Sequence, residues 1–577
     1  MEQTLEHAMV RKHPKLWPYV AVFALAALLW TLYVMTGYYE HWQATGTQAP
    51  DMGISIRNGV LAAAGIAVAL YGASFVWMQR GGALSATASG AAQAAVPAAV
   101  SAPHGDARAA MLAQTGQRFV LEVRGVGVVT GPNTNIEIWK EIEAKANNHV
   151  SYLSQDPNDY PASPDMQLDE LRLSTGVAFK DAARHAVEYW PVPVIIWEGP
   201  KDKKNGSRPA ASIMSLRQQA SLGVTLFLWE ADANTDDGAA MVQKLFDFFD
   251  AHPDVPSALV FSADGTLNRL LSAAPGSGKL LSERYRIPSM PDSAVGILVS
   301  RSDRVDRLIR PFAVDQTAKV NKDTTEYDIS KLWNFYWKTS NDQGPDSFTA
   351  HYDKQQLEET GDDFSGTAAV SSDWWIKHLP ELWRDINNKG PGQFTPSPYI
   401  PVRWTTWQVK AFDEAPLLGY WHRPVSVKLI DPHGKPLRGP EQAEALKVGW
   451  EQALATLPDG QKPKRVFYDT TGDKQWVIPL TQAFALAGSS APQLGDVKEG
   501  YDIGARIANT GVSSPLVQVG LGLIASYIQG GASATIDRRP NGVATITMIS
   551  PPDAEAKAAW VQKHGKADPF GGVHPLD

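Results

Sequence analysis

Two charge-free apolar runs constrain this chain of 577 residues more than any other feature. Leu16–Tyr38 holds 23 residues without Asp, Glu, Lys or Arg, flanked by Trp17 and Tyr19 at one end and Tyr38 and Tyr39 at the other. That length crosses a hydrocarbon core of about 30 Å, and the aromatic residues suit its two interfaces. The second run, Asn58–Gln79, is also uncharged, and its Ala64, Gly65, Gly72 and Ala73 allow a neighbouring helix to approach closely. A secretory signal peptide fits the first run less well, because the apolar stretch is too long and a second one follows closely. Arg11, Lys12 and Lys15 precede the first span and Arg80 follows the second, whereas the loop between them carries Arg57 against Glu40 and Asp51. The positive-inside rule then predicts both termini and the large C-terminal body on the cytoplasmic side of the membrane.

The expected fold class is α/β: two N-terminal transmembrane helices, then a cytoplasmic body of two mixed α/β domains joined by a Trp-rich segment. Residues 1–80 form the membrane hairpin, with spans at about 16–38 and 58–79. Residues 81–117 are rich in Ala, Ser and Gly and poor in large apolar groups, so they read as a flexible linker.

The N-terminal α/β domain is expected over 118–315. Phe119–Thr130 is β-branched, and its Gly125 and Gly127 signal a bulge or a close backbone approach. Thr134 and Glu137 form a capping-box pattern ahead of a helix with Ile138, Ile142 and Ala146 on one face. Apolar runs at 194–197, 224–229, 258–261 and 295–299, with a helix pattern at Gly238–Ala251, suggest βαβ units and a mostly parallel sheet.

The connecting segment, 316–423, holds eight of the 19 tryptophans. They read as helical core, or as an aromatic docking surface, since Trp dominates interface hot spots. On the second reading the partner-interface candidates are Trp374, Trp375, Trp404 and Trp407. The C-terminal α/β domain is expected over 424–552: strands at Val425–Ile430 and Arg465–Tyr468, helices at Glu441–Leu457 and Leu516–Ile528, and a hairpin turning at Pro540-Asn541-Gly542. Residues 553–577 form a tail.

Chemistry is sparse. With no cysteine, disulfides, thiolate metal sites, iron–sulfur clusters and a Cys nucleophile are excluded. A net charge of −8 argues against nucleic acid as a partner. Pro275-Gly-Ser-Gly-Lys279 resembles part of a P-loop, but Ala273 stands where its first Gly belongs and Leu280 where its hydroxyl belongs. Residues 232–243 resemble a calcium loop but place Asp237 and Gln243 where Gly and a bidentate Glu are needed. There is no G-x-S-x-G elbow and no H-E-x-x-H. His185, His422 and His433 have no ligand partner at helical spacing and read as ordinary residues. Asp469–Asp473 reads as a turn, and Arg538 and Arg539 as a hairpin tip. No catalytic residue, metal site or cofactor is expected. If the body were nevertheless an enzyme, Asp232, Asp236 and Asp264 at strand ends would be the first suspects.

Several blocks taken together resemble one bacterial family: Phe119–Gly131, Asn133–Lys145, Ser426–Gly439, Val466–Pro479 and Ser514–Pro552, the last with SPLVQVGLGLIASYIQGGASAT and GVATITMISPP. They look like the type VI secretion lipase adaptor family. The resemblance implies a non-enzymatic, chaperone-like adaptor that binds a phospholipase-type effector protein and helps load it onto the secretion spike protein. The bilayer is an expected further partner, through the two spans. A membrane-associated immunity or envelope structural protein, or an enzyme with an unrecognised site, is the alternative.

Overall fold

The computed structural model describes residues 120–160, 163–199, 209–234, 237–271, 287–315, 327–341, 369–386, 392–458, 460–565 and 567–571, together with the helical Ala27, Trp30 and Val34. The two apolar runs, apart from those three residues, the linker over 81–117, the 275–279 segment and Asp236 lie outside the described residues.

The body carries one mixed sheet. In chain order its strands are β1 (Val120–Thr130), β2 (Asn133–Thr134), β3 (Pro191–Glu198), β4 (Leu226–Asn234), β5 (Ser257–Asp264), β6 (Ser293–Ser300), β7 (Val370–Ser371), β8 (Gly419–His422), β9 (Val425–Lys428), β10 (Pro463–Tyr468), β11 (Gly500–Asp502), β12 (Ala532–Arg539) and β13 (Val543–Ser550). The order across the sheet is β11-β10-β12-β13-β8-β1-β6-β5-β3-β4-β7, with β2 on β1 and β9 on β13. At one end β5, β3, β4 and β7 run parallel, and at the other β10, β11 and β12 do. The middle, β12-β13-β8-β1-β6-β5, is antiparallel throughout. A mostly parallel N-terminal sheet is therefore corrected to a mixed one: β6 lies between β1 and β5 and runs against both.

The two expected α/β regions share this sheet. Their seam is β8, four residues long and buried throughout, which pairs with β1 through Trp421 and Leu121 and with β13 through Trp421 and Ile549. Because every backbone donor in a sheet interior needs a partner, this strand ties the two halves covalently and by hydrogen bonds.

Local sequence explains the main elements. In β1 the register shifts between Val123 and Gly125. A Cβ on Gly125 or Gly127 would come within 2.0 Å of the carbonyl oxygen of Ala182 or Ala178. These glycines let a helix backbone lie directly on the strand, and that helix is α2 (Pro164–Ala183), the second after α1 (Asn135–Lys145). The Thr134 N–H donates to Glu137 Oε2 at 3.4 Å, and Ile138, Trp139 and Ile142 face inward. Ala146, expected on that face, instead ends α1 in a left-handed conformation. Helix α3 (Gly238–Ala251) buries Met241, Leu245 and Phe249. Helix α4 (Ser372–Asp385) belongs to the Trp-rich segment, and α5 (Gly439–Leu454) covers the C-terminal half.

Helix α6 (Ser514–Gln529) is the hub: Ser514 to Tyr527 are all buried, and it packs on strands from both halves. With the preceding turn it is the one helix among the described residues long and apolar enough to cross a membrane, and its burial inside the body makes it a core helix. The hairpin β12–β13 forms as the Pro-Asn-Gly turn predicts, with Gly542 at φ +70°. Beyond β13 the chain forms a helix, Ala554–His564, and then seats Phe570 in the core, where its carbonyl accepts from Asn135 Nδ2 at 2.7 Å.

Candidate functional site

The Trp-rich segment divides its four candidates. Trp375 is fully buried, tilted against Phe335 and edge-on to Tyr336, and its indole N–H donates to the Pro398 carbonyl at 2.9 Å. Trp404 is buried 5.0 Å from Trp190. Trp374 and Trp407 are half-buried; Trp374 stacks on His378 at 4.5 Å with Lys377 nearby, and Trp407 meets Tyr189 at 6.3 Å. Helical spacing in α4 explains the first split: Trp375, Leu379 and Leu382 form the inward face, and Trp374 is one position off it. Ser372 and Tyr399 fix this layer to the sheet by donating to Glu230, whose carboxyl burial pushes up to about 7.

The second region lies around the N-terminus of α6, where β5, β10, β12 and the N-terminus of α3 converge. Asp264, fully buried, accepts from Gly265 N–H at 2.8 Å, Val512 N–H at 2.8 Å and both Arg269 Nε and Nη2 at 2.7 Å. Gly511 sits at φ +60° against this carboxylate, where a Cβ would fall 1.9 Å from Oδ2. The two halves are thus stitched by a carboxylate of one and a turn of the other. Arg539 Nε pairs with Asp237 at 2.9 Å, and Arg538 with Asp473. Ser514 Oγ donates to Asp469 at 2.6 Å. Asp537 lies on β12 inside this cluster; its carboxyl is pushed up to about 8 by burial and by Asp469 and Asp237, and it accepts from Gln518 Nε2 at 2.6 Å. A polar cleft of about 840 Å³ opens over these groups.

Of the carboxylates suspected for catalysis, Asp264 is committed to four hydrogen bonds, Asp232 lies within β4 opposite Ile196, and Asp236 is outside the described residues. No group of three or more His, Asp or Glu among the described residues is arranged to hold a metal. His422 is a satisfied core histidine: its ring nitrogens lie 2.8 Å from the Thr456 carbonyl and from Ser550 Oγ. Burial lowers the His185 imidazole to about 3.

A third region escaped the sequence. A cavity of about 520 Å³ lies between α1, α2 and the segments around Thr266–Leu271 and Pro288–Asp292. Its walls include Tyr152, Leu153, Leu171, Leu267 and Pro291, and its carboxylates are Glu141, Asp159, Glu170 and Asp292. No single stretch of sequence carries it.

The molecule these regions define is a single-sheet scaffold in which the strand-end carboxylate of Asp264 serves to join the two halves. The family model described as "Type VI lipase adapter protein Tla3, N-terminal" matches residues 119–283, and "Type VI lipase adapter protein Tla3, C-terminal" matches 418–551, together just over half of the chain. The chain belongs to the type VI lipase adapter family. The blocks quoted from the sequence fall within these matches up to residue 551, whereas most of the Trp-rich segment lies between them. Among solved structures, the ketosynthase from module 6 of the bacillaene synthase of Bacillus subtilis 168 shares 9% identity over 76% of this chain and 71% of its own, with a TM-score of 0.37. A type III pentaketide synthase from Neurospora crassa shares 11% over 75% of this chain and all of its own, with a TM-score of 0.32. At such scores the likeness carries no argument about this chain.

Proposed function

We propose that this chain is a membrane-tethered cytoplasmic adaptor that binds a lipase effector of the type VI secretion system and helps load it onto the secretion spike. The observation that carries the reading is the pair of adapter-family matches, one on each half of a single body and in chain order. The geometry supports binding rather than turnover, because the strand-end carboxylate best placed for chemistry, Asp264, is sealed by four donors. Tethering is supported by the two charge-free runs, and a cytoplasmic body by Arg11, Lys12, Lys15 and Arg80 flanking them. Trp374 and Trp407 keep ring surface available for a partner; Trp375 and Trp404 act by holding the layer behind them.

Deleting the gene in the host and following the lipase tests the reading. Export of the lipase is expected to fail while the lipase accumulates inside the cell, and reporter fusions at the C-terminus are expected to report the cytoplasm. Unchanged export, or a body reported outside the inner membrane, would overturn it.

A further inference from the structure

We infer that the cavity between α1, α2 and the Pro288–Asp292 segment is a recognition cleft for a short peptide segment of a partner protein in which Lys or Arg is flanked by large apolar side chains. The volume, about 520 Å³, falls in the range that encloses a few side chains. The two halves of the specificity come from different walls. Tyr152, Leu153, Leu171, Leu267 and Pro291 offer apolar contact, while Glu141, Asp159, Glu170 and Asp292 offer charge. Among the described residues no Lys or Arg lines the cavity, and neither Glu141 nor Glu170 has an ion-pair partner. Carboxylates gathered without a cation repel one another, and a cation entering between them relieves that repulsion in a partly dehydrated site.

The groups respond to their surroundings as this requires. Burial pushes the Asp292 carboxyl up to about 7, with Asp264 and Glu170 adding to it, and burial also raises Glu170. Asp292 is held in place by the Asn268 N–H at 3.1 Å, and the Tyr152 hydroxyl by donation to the Thr130 carbonyl at 2.6 Å, so the walls are preorganised.

The apolar character continues outside the cavity. Met166 and Leu173 on α2 are 58% and 57% exposed, four residues before and three residues after cavity-lining Glu170 on the same helix, and Ile287, beside lining Pro288, is 39% exposed. Large apolar groups in water around an acidic hollow are what a docking segment with alternating basic and apolar residues would cover. The assignment does not rest on the cargo being a lipase.

The test uses the full chain in phosphatidylcholine nanodiscs and four fluorescein-labelled dodecapeptides on one Gly/Ser frame, bearing Lys with Leu, Lys with Ser, Glu with Leu, or Glu with Ser. Anisotropy titrations are expected to give the Lys/Leu peptide at least tenfold tighter binding than the other three, after subtraction of binding to empty nanodiscs. E141K/E170K, at exposed rim positions, and S174W, which fills the cavity mouth, are each expected to cost at least tenfold. Raising salt from 50 to 500 mM needs no variant and is expected to weaken binding severalfold. Equal binding of the Glu/Leu peptide, indifference to both variants and to salt, or no binding by any probe would overturn the inference. Lipase export surviving in E141K/E170K while peptide binding is lost would leave the cleft assigned and place lipase docking elsewhere.

Discussion

Asp264 accepts four hydrogen bonds, two from backbone and two from Arg269, whereas Glu170 in the acidic cavity has no ion-pair partner among the described residues. Asp264 ends strand β5, and Glu170 lies within helix α2. The first is consumed in joining the halves of the body, and the second remains available to an incoming cation. The contrast teaches how to separate structure from recognition in a molecule without a catalytic signature: a buried acid with all its acceptors filled is part of the scaffold, and a cluster of acids lacking cations is an opening.

The same contrast runs through neighbouring tryptophans. Trp375→Ala removes a fully buried ring and is expected to cost about 4 kcal/mol of stability, while Trp374→Ala, half-buried at the edge of the core and stacked on His378, is expected to cost about 1 kcal/mol; urea titration of both separates them. A similar loss for both would erase the distinction. Next in size, Asp264→Ala leaves the Val512 and Gly265 N–H groups unpaired and is expected to cost about 3 kcal/mol, against less than about 0.5 kcal/mol for Glu170→Ala.

A third test uses pH. The folded-state carboxyl of Asp537 titrates near 8, far above its value in an unfolded chain, so the folded state binds the proton more tightly. Its contribution is therefore full below about pH 4 and is lost as pH rises through 8. Asp181, Glu230 and Asp292, each raised to about 7, act in the same direction. Thermal melts are expected to show falling stability from pH 5 to pH 9, and Asp537→Asn is expected to flatten that fall with little effect at pH 5. An unchanged slope would mean that Asp537 is not held protonated by its burial and by its neighbours Asp469 and Asp237. The smallest effect is that of E141K/E170K on stability, within about 0.5 kcal/mol, since exposed charges contribute little to folding.

Much of the scaffold was legible. Gly125 and Gly127 signalled a bulge or a close backbone approach on β1, and both occur there; the periodicity of 238–251 marked α3, and Pro540-Asn541-Gly542 marked the last hairpin. The seam was not. Gly419–His422 is short and buried on both faces, so it shows neither alternation nor a long apolar run, and it was absorbed into the Trp-rich segment. The cavity was illegible for a different reason: its walls come from separate stretches, within residues 131–160, 167–174, 266–270 and 288–292, that only the fold brings together. The fate of the tryptophans lay between these cases, since composition grouped them and only helical phase separates Trp375 from Trp374.

The most direct test of the central claim is purification of the tagged full chain from native membranes in mild detergent, with light scattering and mass spectrometry of the eluted species. A complex of defined stoichiometry holding a lipase-domain protein, lost when the tagged chain is denatured and refolded alone, is the expected result. A chain that elutes without a lipase under conditions where the lipase is expressed would contradict the adaptor reading.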